Sequence, residues 1–247
     1  MSSTIVLITG GNRGLGQGLV KKFLELPNHT VIALNRDPSN PSSQALSSLP
    51  KGKDTTLIVI KYDASIEQDA FSAIQELQQK HAISYLDIVV PNAGFVRGHP
   101  LVKDVKRSDI LDLFETNALG PVSLYQATRD LLQKSTKKPI FAPVGSGAGA
   151  LGRQPPIPNA SYGASKSVLF WYGVRIHAED EWLNTFVLDP GFVQTDMGNK
   201  GAKAFGMEEA PVRVEDSVGG MFRVLTEGSR ERYGGKCVLY TGEVQEW

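Results

Sequence analysis

A single cysteine, Cys237, excludes any disulfide within the chain. The four histidines, His29, His81, His99 and His177, are scattered without HxxxH or HExxH spacing, so no metal site is expected. An excess of either charge is also missing. Lys+Arg and Asp+Glu number 26 each, which leaves no net field to hold a polyanion, so neither nucleic acid nor an anionic membrane is an expected partner. A small, weakly charged substrate fits this balance better. Apolar runs last only a few residues, against the roughly 20 needed to span a bilayer. The sequence opens without a charged leader and apolar core, so a cytoplasmic location is the expectation.

What the chain does contain is alternation. Seven short, β-branched apolar runs recur: Thr4–Thr9, Thr30–Asn35, Thr56–Lys61, Leu86–Val90, Pro139–Val144, Asn184–Leu188 and Lys236–Tyr240. Runs of this kind read as strands buried on both faces. Between them lie segments with helical spacing at Gly16–Leu26, Ile66–Lys80, Arg107–Leu132 (two helices) and Ser161–Glu181. The pattern predicts a doubly wound α/β fold, a mostly parallel seven-stranded sheet with helices on both faces, in one domain over residues 1–247. The stretches Asp37–Ser43 and Gly147–Pro158 are expected to be connections within it. The charged run His177–Glu181 reads as a solvated helix end, and Phe170, Trp171 and Tyr172 as packing residues.

Thr9-Gly10-Gly11-Asn12-Arg13-Gly14-Leu15-Gly16 follows the first strand and opens an amphipathic helix. Glycines there let the backbone approach a pyrophosphate, while the helix N-terminus presents unpaired N–H groups. The spacing TGxxxGxG departs from GxGxxG. Asp63, closing the third run, is placed to meet an adenine amino group, or else to cap the next helix. Asn92-Ala93-Gly94 follows the fourth run, at the sheet edge where ligands bind, though a structural turn explains it nearly as well.

Tyr162 and Lys166 stand four apart at the start of a long helix, so phenol and ammonium share a face. A nearby cation favours phenolate, which is expected to lower the Tyr162 pKa and fit it for proton exchange with a carbonyl oxygen. A surface pair is the competing reading. Ser146, after the fifth run, is placed to hydrogen-bond the same oxygen.

Together these motifs resemble the short-chain dehydrogenase/reductase family over nearly the whole chain: the glycine turn, Asn92-Ala93-Gly94, Asn117, Ser146, Tyr162 with Lys166, and Asp189-Pro190-Gly191 with Thr195. Within the family, Ser146-Gly147-Ala148-Gly149, a proline-rich loop and Pro158-Asn159-Ala160-Ser161-Tyr162 are similar to the norsolorinic acid ketoreductase-like and C-factor-like branch. The resemblance implies a Rossmann fold and reversible hydride transfer between NADP(H) and a ketone or aldehyde, in secondary metabolism. Tyr162 would be the acid/base, Lys166 its pKa-lowering partner and ribose ligand, Ser146 the substrate orienter, and Asn117 the support of a proton relay. Pro190, Gly191, Val193 and Thr195 would lie against the nicotinamide. Pro91 before Asn92, Gly145 before Ser146 and the long interval from Ser146 to Tyr162 depart from the family pattern.

After the second strand the chain reads Leu34-Asn35-Arg36, with no acid before Asp37. A carboxylate there would select NADH by bonding the ribose and repelling a 2′-phosphate. Asn35, Arg36 and Arg13 instead offer donors, so NADPH is the expected cofactor, unless both arginines merely face solvent. The substrate walls are expected near 94–104, 147–158 and 192–212. Glycines 149, 152, 198, 201 and 206 are expected to give two of these walls hinge freedom. The substrate is expected to be a small carbonyl compound, aromatic or polyketide-like. A homodimer or homotetramer is expected through the helices at 107–132 and 161–181. The alternatives are a cofactor-binding sensor or scaffold without turnover, and an enzyme using the same pocket for cyclisation or isomerisation.

Overall fold

The computed structural model describes residues 3–247. The chain runs β1 (Thr4–Thr9), α1 (Gly14–Leu24), β2 (His29–Asn35), α2 (Pro41–Gln44), β3 (Thr56–Lys61), α3 (Glu67–His81) and β4 (Ile88–Val90). It continues with α4 (Arg107–Phe114), a π turn (Glu115–Leu119), α5 (Gly120–Gln133), β5 (Ile140–Phe141), a 3-10 turn (Gly147–Gly149) and α6 (Tyr162–Glu179). It closes with β6 (Asn184–Thr185), β7 (Val187–Asp189), α7 (Asp196–Ala204), α8 (Val214–Glu227), α9 (Arg230–Tyr233), β8 (Cys237–Leu239) and β9 (Val244–Gln245).

The strands form a six-stranded sheet in the order β3-β2-β1-β4-β5-β6, all pairs parallel, and a three-stranded sheet β7-β8-β9. One seven-stranded sheet was the sequence expectation, and the difference has a local cause. The segment 184–189 changes partner at Phe186: Asn184 and Thr185 pair with β5, whereas Val187–Asp189 pair with β8. A single bridge between Val144 and Leu188 ties the two sheets together. The small sheet ends in an antiparallel strand, β9, beside β8.

Period-two alternation sorts β1 into two cores. Val6 and Ile8 face one cluster, with Leu19, Val20 and Phe23 of α1 and Met221 and Val224 of α8. Ile5 and Leu7 face the other, with Ala73, Ile74 and Leu77 of α3 and Leu124 and Leu131 of α5. Two buried faces on each central strand require an apolar run rather than alternation with polar residues, as the sequence shows. The expected helices are present within a few residues of their expected bounds, the Arg107–Leu132 pair being joined through the π turn. Among the described residues, no helix is long and apolar enough to cross a membrane.

In the run His177–Glu181, Ala178, Glu179 and Glu181 are exposed as expected, and Asp180 differs. Asp180 is buried and ion-paired to Arg129, which reaches it through both Nε and Nη2, and it also accepts from the Tyr125 hydroxyl. This network fastens the end of α6 to α5. Phe170 is buried, while Trp171 is exposed.

Candidate active site

Strand order reverses between β1 and β4, so the crevice at their carboxyl ends is where an open parallel sheet receives ligands. Gly10 (φ 64°) and Gly14 (φ 54°) turn the chain there through left-handed backbone that favours glycine. Gly16 serves close approach: a Cβ on it would lie 2.2 Å from the Gly10 carbonyl oxygen and 2.6 Å from Asn92 Nδ2. The α1 N-cap, Arg13, supplies no side-chain hydrogen bond to the first turn, so the leading N–H groups are left for a ligand or solvent. Leu15 packs against the core.

Thr9 joins this turn to β4. Its hydroxyl accepts from the N–H groups of Asn92 (2.9 Å) and Ala93 (2.8 Å). The Asn92 amide donates to the carbonyls of Thr9 (2.9 Å) and Gly10 (3.3 Å), so this side chain braces the glycine turn. Asn35 is 1% exposed; its amide donates to Ser43 Oγ (3.3 Å), and its Oδ1 is buried without a partner. Asn12 donates to Ser42 Oγ at 2.7 Å. Arg13 and Arg36 are exposed and enter no ion pair among the described residues. Asp37 is turned onto Ser39, accepting from its N–H (2.8 Å) and hydroxyl (2.6 Å). Asp63 similarly accepts from Ser65 N–H (3.0 Å) and hydroxyl (2.8 Å); it forms a turn ahead of α3 rather than the N-cap, which is Ile66.

Tyr162 opens α6 and Lys166 follows one turn later, 5% exposed, its Nζ donating to the Val144 carbonyl at 2.7 Å. Lys166 Nζ stands 6.0 Å from the Tyr162 ring centroid. Burial pushes the Tyr162 phenol up to about 12; the Ser146 hydroxyl opposes this and the Asp189 charge adds to it. Burial pushes Lys166 down to about 8, against the raising effect of Asp189. The phenol is thus raised rather than lowered, desolvation being the largest effect on it.

Ser146 sits beside the phenol despite the long interval, and its Oγ accepts from Ala148 N–H at 3.2 Å. Asn117 is fully buried on the π turn, a backbone irregularity frequent at functional sites. It accepts from Phe95 N–H (3.0 Å) and donates to Phe95 O (2.9 Å) and Ser165 Oγ (3.0 Å). A Cβ on Gly94 would meet Asn117 Oδ1 at 3.0 Å and Lys166 Nζ at 3.6 Å. The sequence-predicted residues of the fourth strand end, the π turn and α6 thus converge.

Pro190 O accepts from Ser217 Oγ (2.7 Å), and Gly191 (φ 78°) donates to Asp189 Oδ1 (2.9 Å). Val193 is buried and bridges Val212. Thr195 caps α7 through its Oγ1, and its Cγ2 lies 3.4 Å from where a Gly14 Cβ would be. The segment 192–212, expected as a substrate wall with hinge freedom, contains the helix α7. Three of the five expected hinge glycines sit where a Cβ would collide: it would meet Lys166 C at 2.7 Å (Gly149), Trp247 O at 2.9 Å (Gly152) and Val193 O at 1.8 Å (Gly198). His99 meets Phe205 edge-on at 4.5 Å between ring centroids, so the loop after β4 leans on the end of α7. Sequence reasoning gave no role to Ser165, Asn159 or Arg153; Asn159 accepts from Gly163 N–H at 3.1 Å, seating the first turn of α6. Asn159 lay inside a quoted motif, while a lone loop arginine carries no signal in sequence.

Residues 4–204 match the family described as short chain dehydrogenase. The norsolorinic acid ketoreductase of Dothistroma septosporum is 36% identical over 241 residues, spanning 96% of this chain and 90% of that protein. The norsolorinic acid ketoreductase of Aspergillus parasiticus is 34% identical over 241 residues, spanning 96% of this chain and 89% of that one. The structure of NADPH-bound carbonyl reductase from chicken fatty liver superposes over 100% of both chains with a TM-score of 0.86 at 27% identity.

Proposed function

The chain belongs to the short chain dehydrogenase family, and from that premise we propose that it reduces the carbonyl group of a small aromatic or polyketide-like molecule with NADP(H). The observation that carries this reading is the convergence of Ser146, Tyr162 and the buried Lys166 beside a glycine cradle at the switch point of the sheet. The cradle fits a dinucleotide: Gly16 leaves no room even for a methyl group, the first turn of α1 is uncapped, and Asn35 Oδ1 is an orphaned acceptor. The pyrophosphate would rest on Gly10, Asn12, Gly14, Leu15 and Gly16. Arg36 and Arg13 would face the 2′-phosphate, with the buried Asn35, whose amide is held by Ser43, beneath them, Asp63 the adenine, and Asn92-Ala93-Gly94, Pro190, Gly191, Val193 and Thr195 the nicotinamide half. When bound, NADPH supplies the hydride.

Tyr162 gives the proton. With its pKa near 12 the phenol stays protonated through neutral pH and can donate to a carbonyl oxygen. Ser146 Oγ, whose lone pair takes the Ala148 N–H, keeps its own proton for the same oxygen. Lys166, charged below about pH 8, supports the phenolate left behind. Asn117 holds the loop after β4 against α6 through Phe95 and Ser165. His99, Phe192 and Phe205, which pack on one another, would supply aromatic surface on the substrate side. The test is loss of NADPH absorbance with aromatic ketones, quinones, diketones and aldehydes. Binding of NADPH with no turnover on any of them would overturn the reductase reading in favour of a sensor.

Two further expectations arise here. A hydrogen bond to a charged group contributes about 1.5–3 kcal/mol, so Arg36→Ala should lower the NADPH/NADH ratio of kcat/KM by roughly 10- to 100-fold. An unchanged ratio would remove Arg36 from the 2′-phosphate site. Assembly is proposed through α4 and α6, where Leu111, Trp171 and Val174 are exposed. Light scattering at micromolar concentration should give a dimer or tetramer for the wild type and a monomer for Trp171→Glu; a monomeric wild type refutes it.

A further inference from the structure

Behind the catalytic pair lies a carboxylate that the mechanism above does not use. Asp189 ends β7 and is 2% exposed. Its Oδ1 accepts from Gly191 N–H at 2.9 Å, and its Oδ2 is 3.4 Å from Arg153 Nη2. Arg153 belongs to the proline-rich loop that follows Ser146, so this ion pair crosses from the substrate wall to the sheet. Gly147 makes the approach possible, since a Cβ there would stand 3.2 Å from Asp189 Oδ2 and 2.9 Å from Arg153 Nη1.

The loop is held at a second point. Arg153 Nε donates to the Glu246 carbonyl at 3.0 Å, and Gly152 N–H donates to Trp247 O at 2.6 Å. The Trp247 ring lies 5.4 Å from that of Phe170 on α6. Arg153 is therefore fixed by the tail on one side while its guanidinium reaches the buried carboxylate on the other.

We propose that Arg153 and Asp189 are a positioning pair, in which the loop-borne guanidinium offsets the carboxylate behind Lys166 and Tyr162, so that the seating of the substrate loop sets the field in which those two groups ionise. The titratable groups that face Asp189 are Arg153 from the loop, Tyr162 and Lys166 from α6, and Cys237 from β8. Burial pushes the Cys237 thiol up to about 12, so it contributes no charge near neutrality. Asp189 works to raise both Lys166 and Tyr162. An arginine beside it works in the opposite sense, and moving that arginine away strengthens the field of the carboxylate on α6.

The consequence serves the reductase reading, yet its test needs neither substrate nor turnover. The Lys166 Cε resonance is followed by NMR through a pH titration of the protein without ligands, and assigned by its loss in Lys166→Met. In the wild type the midpoint is expected near 8. Asp189→Asn should move it down and Arg153→Met up, each by about half a pH unit or more, and Arg153→Lys should restore it towards the wild type. Loosening of the loop alone admits water to both variants and moves both midpoints upward. Equal midpoints in all proteins, or shifts in the same direction for Asp189→Asn and Arg153→Met, overturn the proposal. Should Asp189→Asn fail to fold by thermal melting, Arg153→Met and Arg153→Gln decide it: an upward shift reversed by Arg153→Lys supports the pair, and no shift overturns it. Opposed shifts in a protein that turns over no carbonyl compound would leave the pair standing and reject the reductase reading.

Discussion

Tyr162→Phe is expected to lower kcat for carbonyl reduction by on the order of 10²–10⁴-fold while NADPH still binds. The substitution keeps the ring and removes the one proton placed for transfer, so the loss falls on the chemical step rather than on association. The pH profile separates this residue from its neighbour. Reduction needs the phenol protonated, and with a pKa raised to about 12 by burial the phenol holds its proton throughout the working range. Lys166 behaves differently. Lowered by burial to about 8, it is charged below that value and loses its proton as pH rises through it, removing the cation that supports the developing phenolate. Reduction by the wild type should therefore be level below about pH 7 and fall above about pH 8. Lys166→Arg, whose guanidinium stays charged, should move that limb upward. Stopped-flow measurement of NADPH oxidation over this range checks both points. Tyr162→Phe with kcat within a few-fold of the wild type would take the phenol out of the mechanism, and an unmoved limb in Lys166→Arg would assign it to another group.

Legibility of the chain followed the range of the interactions involved. The strand at Thr4–Thr9 matches its expected bounds because burial on both faces writes an apolar run directly into the sequence, whereas Thr56–Lys61 matches as a β-branched run although it lies at the sheet edge with only Ile60 buried. Tyr162 and Lys166 were legible because a four-residue spacing on a helix is local. Helix α8 was missed, and its two adjacent glycines explain why: a Cβ on Gly220 would strike Tyr240 O at 2.3 Å, a demand made by a residue that follows β8. The same holds for α7, where Gly198 looked like a hinge yet packs against the Val193 carbonyl. The split of the expected sheet at Phe186 depends on which strand each half meets, and strand partners are nonlocal. The direction of the Tyr162 shift was misread for a related reason. Spacing revealed the lysine, whereas the burial that dominates both groups comes from the whole fold. Asp180 was read as a solvated helix end because its partner, Arg129, lies on another helix.

Glycine can also be asked to do opposite things at two places in one molecule, and this yields the second large effect. Gly16→Ala should lower NADPH affinity by about tenfold or more and lower the melting temperature by several degrees. The added methyl would sit 2.2 Å from the Gly10 carbonyl oxygen, which is backbone and cannot swing aside as a side chain can. Relief requires moving Gly10, itself held in left-handed backbone and tied through its carbonyl to Asn92 Nδ2 at 3.3 Å. Overpacking of this kind costs about 1–3 kcal/mol, and the strain falls on the turn proposed to hold the pyrophosphate, where about 1.4 kcal/mol is tenfold in affinity. Gly219→Ala is the matched control. It lies within α8, and a Cβ there meets nothing within 4 Å, so the exchange should stabilise the protein by about 0.5–1 kcal/mol through helix propensity and leave NADPH binding untouched. Fluorescence titration with NADPH and thermal melting of both variants give the comparison. Wild-type affinity in folded Gly16→Ala would mean that this turn does not cradle the cofactor, and the dinucleotide site would have to be sought elsewhere on the sheet edge.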